Sequence, residues 1–120
     1  MRRDMDLVRT VLLSVEESDA QVLAASELAS NLWDEITVAR HIELMIEAGL
    51  VVGEVSRNLA GGMHAFVMRI TWAGYDFLDA VRSETVWEDT KASIGDRLGT
   101  ASFEVVKTVA AAVAMKALGL

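Results

Sequence analysis

Hydrophobic residues recur at three- and four-residue steps over three long segments, which predicts amphipathic helices. The first segment covers residues 4–17, the second residues 34–49 and the third residues 102–118. In the second segment Asp34 is a suitable N-cap, and Gly49 is a residue that commonly follows the end of a helix. These three helices form the framework of the predicted fold.

The period changes after Gly49. Residues 50–55 are rich in β-branched side chains and residues 66–70 alternate, so they predict two strands joined by a loop over residues 56–64. A fourth helix begins after Thr71, and Ser83 can start a fifth that runs to Gly99. The pattern of residues 22–32 favours a short helix, although an irregular strand-like connection fits it as well.

This order of elements is that of a winged helix-turn-helix: a helix, a short helix, a third helix, a hairpin and a fourth helix. Two more helices follow. The predicted fold class is therefore mainly α with a small β-hairpin (α+β), a winged helix-turn-helix with two extra C-terminal helices. The 120 residues are expected to form a single domain, with a core over residues 1–82 and a helical extension over residues 83–120.

Composition narrows the classes of protein. Apolar residues make up 52% of the chain, enough for a folded core, and the absence of proline suits a helical protein. The absence of cysteine excludes disulfides, thiolate nucleophiles and cysteine-based zinc sites. The N-terminal residues do not resemble a signal peptide, and the most apolar run, residues 108–115, is too short to span a bilayer. We expect a cytoplasmic protein without a membrane segment.

Several blocks of sequence, taken in order, resemble one known family. They are RRDMDLVR at residues 2–9, HIELMIEAGL at 41–50, ITWAGYDFLDAVR at 70–82, TVW at 85–87, SFEVV at 102–106 and LGL at 118–120. The chain resembles the bacterial and prophage domain-of-unknown-function family 2513. The resemblance implies a winged-helix-like fold and no established activity.

Catalytic and metal-binding patterns do not stand out. His41 and His64 are the only histidines, and nothing in their spacing selects a nucleophile, a base and an orienting carboxylate. We expect His41 to make a hydrogen bond at the edge of the core and His64 to be solvated. Because Gly61 and Gly62 lead into a strand, they fit a hairpin turn rather than a phosphate-binding loop. The sequence predicts a protein that is not an enzyme and holds no cofactor or metal.

Two binding functions remain open, and charge bears on both. A helix-turn-helix places one helix in the major groove of DNA, but residues 34–49 carry one basic and four acidic residues, 1 − 4 = −3. Residues 1–60 sum to 5 − 11 = −6, and residues 61–120 to 6 − 7 = −1. The first function is DNA binding of the transcriptional-regulator type, and the alternative is a protein-interaction scaffold with an acidic third helix. The candidate contact residues are Thr37, Arg40, Glu43, Glu47, Arg57, Arg69, Arg2 and Arg3.

The last helix indicates a partner. It is apolar on nearly every side, and such a helix must be buried nearly all round. A homodimer through this helix would achieve that burial, and the alternative is that the first and fifth helices enclose it within one chain. The three tryptophans, Trp33, Trp72 and Trp87, are expected to anchor the core or helix junctions.

Overall fold

The computed structural model describes residues 1–119, so Leu120 at the end of the family-like closing segment lies outside the described residues. Residues 1–119 form an α+β fold with six α-helices and a small antiparallel sheet of three strands. The elements are α1 (Met5–Glu17), β1 (Leu23–Ala24), α2 (Ala25–Leu28), α3 (Glu35–Glu47), β2 (Val51–Arg57), β3 (Met63–Ile70), α4 (Trp72–Val81), α5 (Glu84–Ile94), a 3₁₀ segment (Gly95–Thr100) and α6 (Phe103–Ala117).

Side-chain caps set the start of five helices, because each supplies an acceptor for backbone N–H groups that have no partner in the helix. The caps are Asp4, Asp34, Thr71, Ser83 and Ser102. The predicted caps Asp34, Thr71 and Ser83 are confirmed, as is Gly49, which follows α3 with a φ of 76°. The long periodic segments therefore fold as their patterns predict.

The two strands of the hairpin are longer than predicted, and a third strand pairs with them in the same sheet. β2 extends to Arg57 and β3 begins at Met63, so the connecting loop is only residues 58–62. The sheet order is β1-β3-β2, and Leu23 pairs with Val67. The short helix favoured within residues 22–32 is present as α2 but has only four residues, and the two residues before it pair with β3, as in the strand-like alternative. That pairing spans more than forty positions and leaves no local pattern.

The hairpin and α4 meet at a close backbone contact. The N–H of Thr71 donates to the carbonyl oxygen of Leu50 at 3.0 Å, directly before α4 begins. A Cβ on Gly74, one turn later, would lie 2.0 Å from that same oxygen. Only glycine fits there, so Gly74 allows α4 to pack closely against the backbone at the start of β2.

One hydrophobic core joins the helices and the inner face of the sheet. Its largest buried side chains include Trp87, Phe77, Leu7, Leu12 and Ile42. Trp87 is an anchor as predicted and Trp33 is half-buried, but the prediction for Trp72 was wrong because that side chain is 85% exposed. Trp72 is the first residue of α4, where its ring extends away from the core.

The C-terminal region differs from the prediction in two respects. The fifth helix ends at Ile94 instead of reaching Gly99, because Gly95 has a φ of 64° that breaks the helix and a 3₁₀ segment follows. α6 packs on α4 and α5, and α1 does not enclose it. Only Val106 and Ala110 of α6 are fully buried, so the expected burial on nearly every side does not occur within one chain.

Candidate nucleic-acid interface

A groove separates the outer face of α3 from the hairpin. Its volume is about 340 Å³. We call it the α3–hairpin groove, and its lining residues are Met1, Ile36, Arg40, Glu43, Leu44, Arg57, Asn58, Gly61, Gly62 and Met63. It brings together three of the candidate contact residues, Arg40 and Glu43 on α3 and Arg57 on the hairpin.

Arg57 and Glu43 hold the hairpin against α3. One guanidinium nitrogen of Arg57, Nη2, donates to both carboxylate oxygens of Glu43, at 2.7 and 2.6 Å. The side chains are 57% and 30% exposed, so the pair is at the surface and is screened by water. Because its charge is paired, Arg57 is not a free cation of the hairpin.

The other carboxylates at the start of α3 also have partners. Asp34 accepts the backbone N–H of Thr37 at 2.8 Å, and hydrogen bonds from Thr37 lower the pKa of the Asp34 carboxyl. Oε1 of Glu35 lies 4.0 Å from Nδ1 of His64 on β3. Glu47, in the last turn of α3, is exposed. The Arg57 pair therefore offsets the charge of Glu43, while Asp34, Glu35 and Glu47 leave acidic residues at the two ends of α3.

Arg40 lines the groove, and after the hydrogen bonds from Thr37 its charge contributes to the lowered pKa of the Asp34 carboxyl at the start of the same helix. Its side chain is exposed, and within residues 1–119 it makes no side-chain hydrogen bond or ion pair. It projects from α3 one turn after Ile36, which is 40% exposed and lines the same groove. Arg40 is thus a cation on the outer face of α3 that is available to an anionic ligand.

Two other candidates are placed differently. Thr37 is half-buried, and both of its backbone groups have structural roles: its N–H donates to Asp34 and its carbonyl oxygen accepts from His41. Arg69 is exposed but lines a separate cavity beside Glu16 and Tyr75, near the end of α1. The structure does not bring Arg69 to the groove.

The N-terminal arm runs beside α3. Met1 lines the α3–hairpin groove, and Arg3 lines a small apolar pocket together with His41 and Leu44. The guanidinium of Arg2 lies beside Gly99, because a Cβ added to that glycine would be 3.7 Å from the guanidinium nitrogens. Both arginines are exposed and line a separate cavity with Asp96 and Gly99, so Met1 is the residue of this arm that reaches the groove.

Asp4 connects this arm to α3, a role that the sequence analysis missed. Its carboxylate accepts the N–H groups of Asp6 and Leu7 and, at 2.8 Å, the indole N–H of Trp33. Its own backbone N–H donates to Nε2 of His41 at 2.8 Å. An aspartate directly before an apolar periodic segment is a helix N-cap signal, which could have identified the capping role but not the contacts with Trp33 and His41.

His41 is a structural residue, as expected. Because Nε2 accepts from Asp4, the ring proton must be on Nδ1, which then donates to the carbonyl oxygen of Thr37 at 2.8 Å. The ring is 1% exposed and neutral in this arrangement. Both nitrogens are engaged, so neither is available for proton transfer or for a metal.

Two structural facts about residues 1–119 bear on other kinds of site. No group of three or more histidine, aspartate or glutamate side chains in this range is arranged to hold a metal ion. No helix in the same range is long and apolar enough to cross a membrane.

Comparison with known proteins identifies the family. The family model described as "Hypothetical protein (DUF2513)" matches residues 2–100. The chain belongs to the DUF2513 family. An uncharacterized protein of Haemophilus influenzae is 31% identical over 111 residues, which cover 92% of each chain. No solved structure matches the chain. The DUF2513 match contains the whole α3–hairpin groove beyond Met1 and ends before α6.

Proposed function

We propose that this DUF2513 protein is a non-enzymatic winged-helix module that binds double-stranded DNA through the α3–hairpin groove. The order α1-β1-α2-α3-β2-β3, with the sheet order β1-β3-β2, supports the winged-helix assignment. In a helix-turn-helix protein the second helix of the motif enters the major groove. Here that helix is α3, and the hairpin lies beside it where it would meet the phosphate backbone.

The observation that carries the proposal is the unpaired Arg40 on a helix whose carboxylates are largely engaged. Glu43 is paired with Arg57, Glu35 lies near His64, and Asp34 caps the helix. The Arg57 pair offsets the charge of Glu43 and so reduces the repulsion of phosphates beside Arg40. Arg2 and Arg3 are two more exposed cations on the N-terminal arm, whose first residue, Met1, lines the same groove.

The number of cations sets the expected strength of binding. Arg2, Arg3 and Arg40 are exposed, and Arg57 can contribute if it exchanges Glu43 for a phosphate. Each phosphate that a protein neutralises on B-DNA contributes about −0.9 to the slope of log affinity against log salt. Three to four contacts per chain therefore predict a slope of about −2.7 to −3.6, which is modest for a DNA-binding protein.

A salt titration tests this proposal. Fluorescence anisotropy with a labelled mixed-sequence duplex of ~20 base pairs would be measured at ~50 and ~200 mM salt. The slope above predicts that affinity falls about 40- to 150-fold per bound chain over this range. An absence of binding at the lower salt concentration, with the protein folded, would contradict the proposal.

A protein-interaction scaffold is the second candidate, and the surface near the groove favours it in one respect. Leu59 at the tip of the hairpin is fully exposed, and Leu32 before α3 is 77% exposed. A wing that inserts beside phosphates normally presents polar or basic residues, whereas an exposed leucine at the tip suits contact with a protein. The same titration separates the two functions, because a scaffold would show no salt-dependent DNA binding.

A further inference from the structure

The outer face of α6 is apolar and uncovered. The opposite face packs on α4 and α5 through Val106, Ala110 and Phe103, whose ring meets Phe77 edge-on at 6.2 Å between centroids. The outer face carries three large apolar side chains: Val105 is 50% exposed, Met115 53% and Leu118 74%. Apolar groups exposed together on one helix face typically mark an interface.

The distribution of size along this face suits a second copy of the same helix. Between Val105 near one end and Met115 near the other lie only small exposed residues, Thr108, Ala111 and Ala112. Small side chains at the centre allow two helix axes to approach closely. In an antiparallel pair the Val105 end of one helix meets the Met115 end of the other, so the same patch is complementary to itself, as a twofold interface requires.

Charge and helix dipoles favour the antiparallel orientation. The first turn of α6 contains Glu104, which is paired with Lys107 at 3.6 Å, and the last turn contains Lys116. Antiparallel pairing places the Glu104 end of each helix beside the Lys116 end of its partner, whereas parallel pairing would place like charges together. It also places the helix dipoles in opposed, mutually favourable directions.

We propose that two copies of this chain form a homodimer through the outer faces of α6, packed antiparallel with Thr108, Ala111 and Ala112 at the crossing. The proposal is independent of DNA binding, since none of the groove residues belongs to α6.

The mass in solution tests the dimer. Sedimentation equilibrium of the full chain at ~10 to 200 µM should give twice 13.0 kDa, and Ala111→Glu should give 13.0 kDa because it places two carboxylates at the crossing. Ala73→Glu introduces the same group at an exposed position of α4 and should remain dimeric. Circular dichroism would confirm that each variant is folded. A wild-type monomer throughout this range, or a dimeric Ala111→Glu variant, overturns the proposal.

Disulfide cross-linking tests the orientation. Because the sequence has no native cysteine, every disulfide would join introduced residues. Ala111→Cys lies near the crossing and should form a covalent dimer on mild oxidation. Val105→Cys should not cross-link with itself, because the two copies of residue 105 would lie about 15 Å apart at 1.5 Å per residue. A mixture of Val105→Cys and Met115→Cys chains should form the mixed covalent dimer. Efficient self-cross-linking of Val105→Cys would overturn the antiparallel arrangement.

Discussion

Arg57 at the end of β2 donates from one nitrogen to both carboxylate oxygens of Glu43 on α3, at 2.7 and 2.6 Å. The pair offsets the negative charge of Glu43 on α3, and it also engages the positive charge of Arg57 on the hairpin. DNA binding through this groove therefore depends on how the pair opens.

Replacing Glu43 by glutamine should strengthen DNA binding. Glu43→Gln removes a negative charge from the groove and frees Arg57 for a phosphate, so the salt slope should become steeper by about 0.9. Stability should change by no more than about 1 kcal/mol, because both side chains are substantially exposed. Anisotropy titrations at several salt concentrations give both the affinity and the slope.

Glu54→Gln is the matched control for this variant. Glu54 is exposed on β2 outside the groove, and its replacement changes the net charge by the same amount. An equal gain in affinity for the two variants would mean that only the overall charge matters, and it would contradict a specific role for the Glu43–Arg57 pair.

Asp4 should contribute to stability through its contacts with α1 and Trp33. Asp4→Ala removes the helix cap and leaves the indole N–H of Trp33 without its acceptor, so we expect a loss of about 1–3 kcal/mol. Urea unfolding followed by circular dichroism measures it. Asp19→Ala, an exposed aspartate between α1 and β1, should change stability by less than about 0.5 kcal/mol. Equal losses for the two variants would refute the role given to Asp4.

Gly74 should tolerate no side chain. In an exposed helix, replacing glycine by alanine typically stabilises by up to about 1 kcal/mol, but here the new Cβ would meet the carbonyl oxygen of Leu50 at 2.0 Å. Gly74→Ala should therefore destabilise the protein by about 1–3 kcal/mol or more. Thermal unfolding of each variant measures this change. At Gly99 the nearest atoms are 3.7 Å from such a Cβ, so Gly99→Ala should leave the stability close to that of the wild type. A neutral Gly74→Ala would show that α4 does not pack as described.

The ion pair between Glu16 on α1 and Arg82 after α4 predicts a dependence of stability on pH. The hydrogen bond from Arg82 lowers the pKa of the Glu16 carboxyl, so the unfolded state takes up the proton first as pH falls. The stabilisation is complete above the unfolded pKa of about 4.3 and is lost below it. Because the pair is exposed, its contribution to the free energy of unfolding is at most about 1 kcal/mol.

The wild type and Glu16→Gln, compared by urea unfolding, should differ at pH 7 and converge towards pH 2–3, a window set by the carboxyl pKa. Glu17→Gln, at an exposed neighbouring position, should match the wild type throughout. A difference for Glu16→Gln that persists at low pH would exclude ionisation of this carboxyl as its cause.

The sequence predicted the parts of the fold that depend on local patterns. The periodic segments of α1, α3 and α6, and the caps Asp34, Thr71 and Ser83, lie where their residues indicate. It did not predict β1, because Leu23 and Ala24 become a strand only by pairing with β3. The exposure of Trp72 was also missed, since residue type indicates burial but not which side of a short helix faces the core.

The candidate site was only partly readable from the sequence. The sequence identified Arg40 and Arg57 as candidate cations, but only the fold shows that Arg57 is paired with Glu43 and Arg40 is not. It also could not separate Arg69 from the other arginines, because the strand that carries Arg69 places it at a different cavity. Ion pairs between distant elements depend on tertiary packing, so one sequence does not reveal them.

The most direct test of the central proposal compares Arg40→Gln with Arg69→Gln in the DNA titration at ~50 mM salt. Each variant removes one exposed arginine, so their net charges are equal, but only Arg40 lies in the α3–hairpin groove. We expect Arg40→Gln to lose about tenfold in affinity and about 0.9 of the salt slope, with Arg69→Gln close to the wild type. Equal effects of the two variants, or no effect of Arg40→Gln, would contradict DNA binding through this groove.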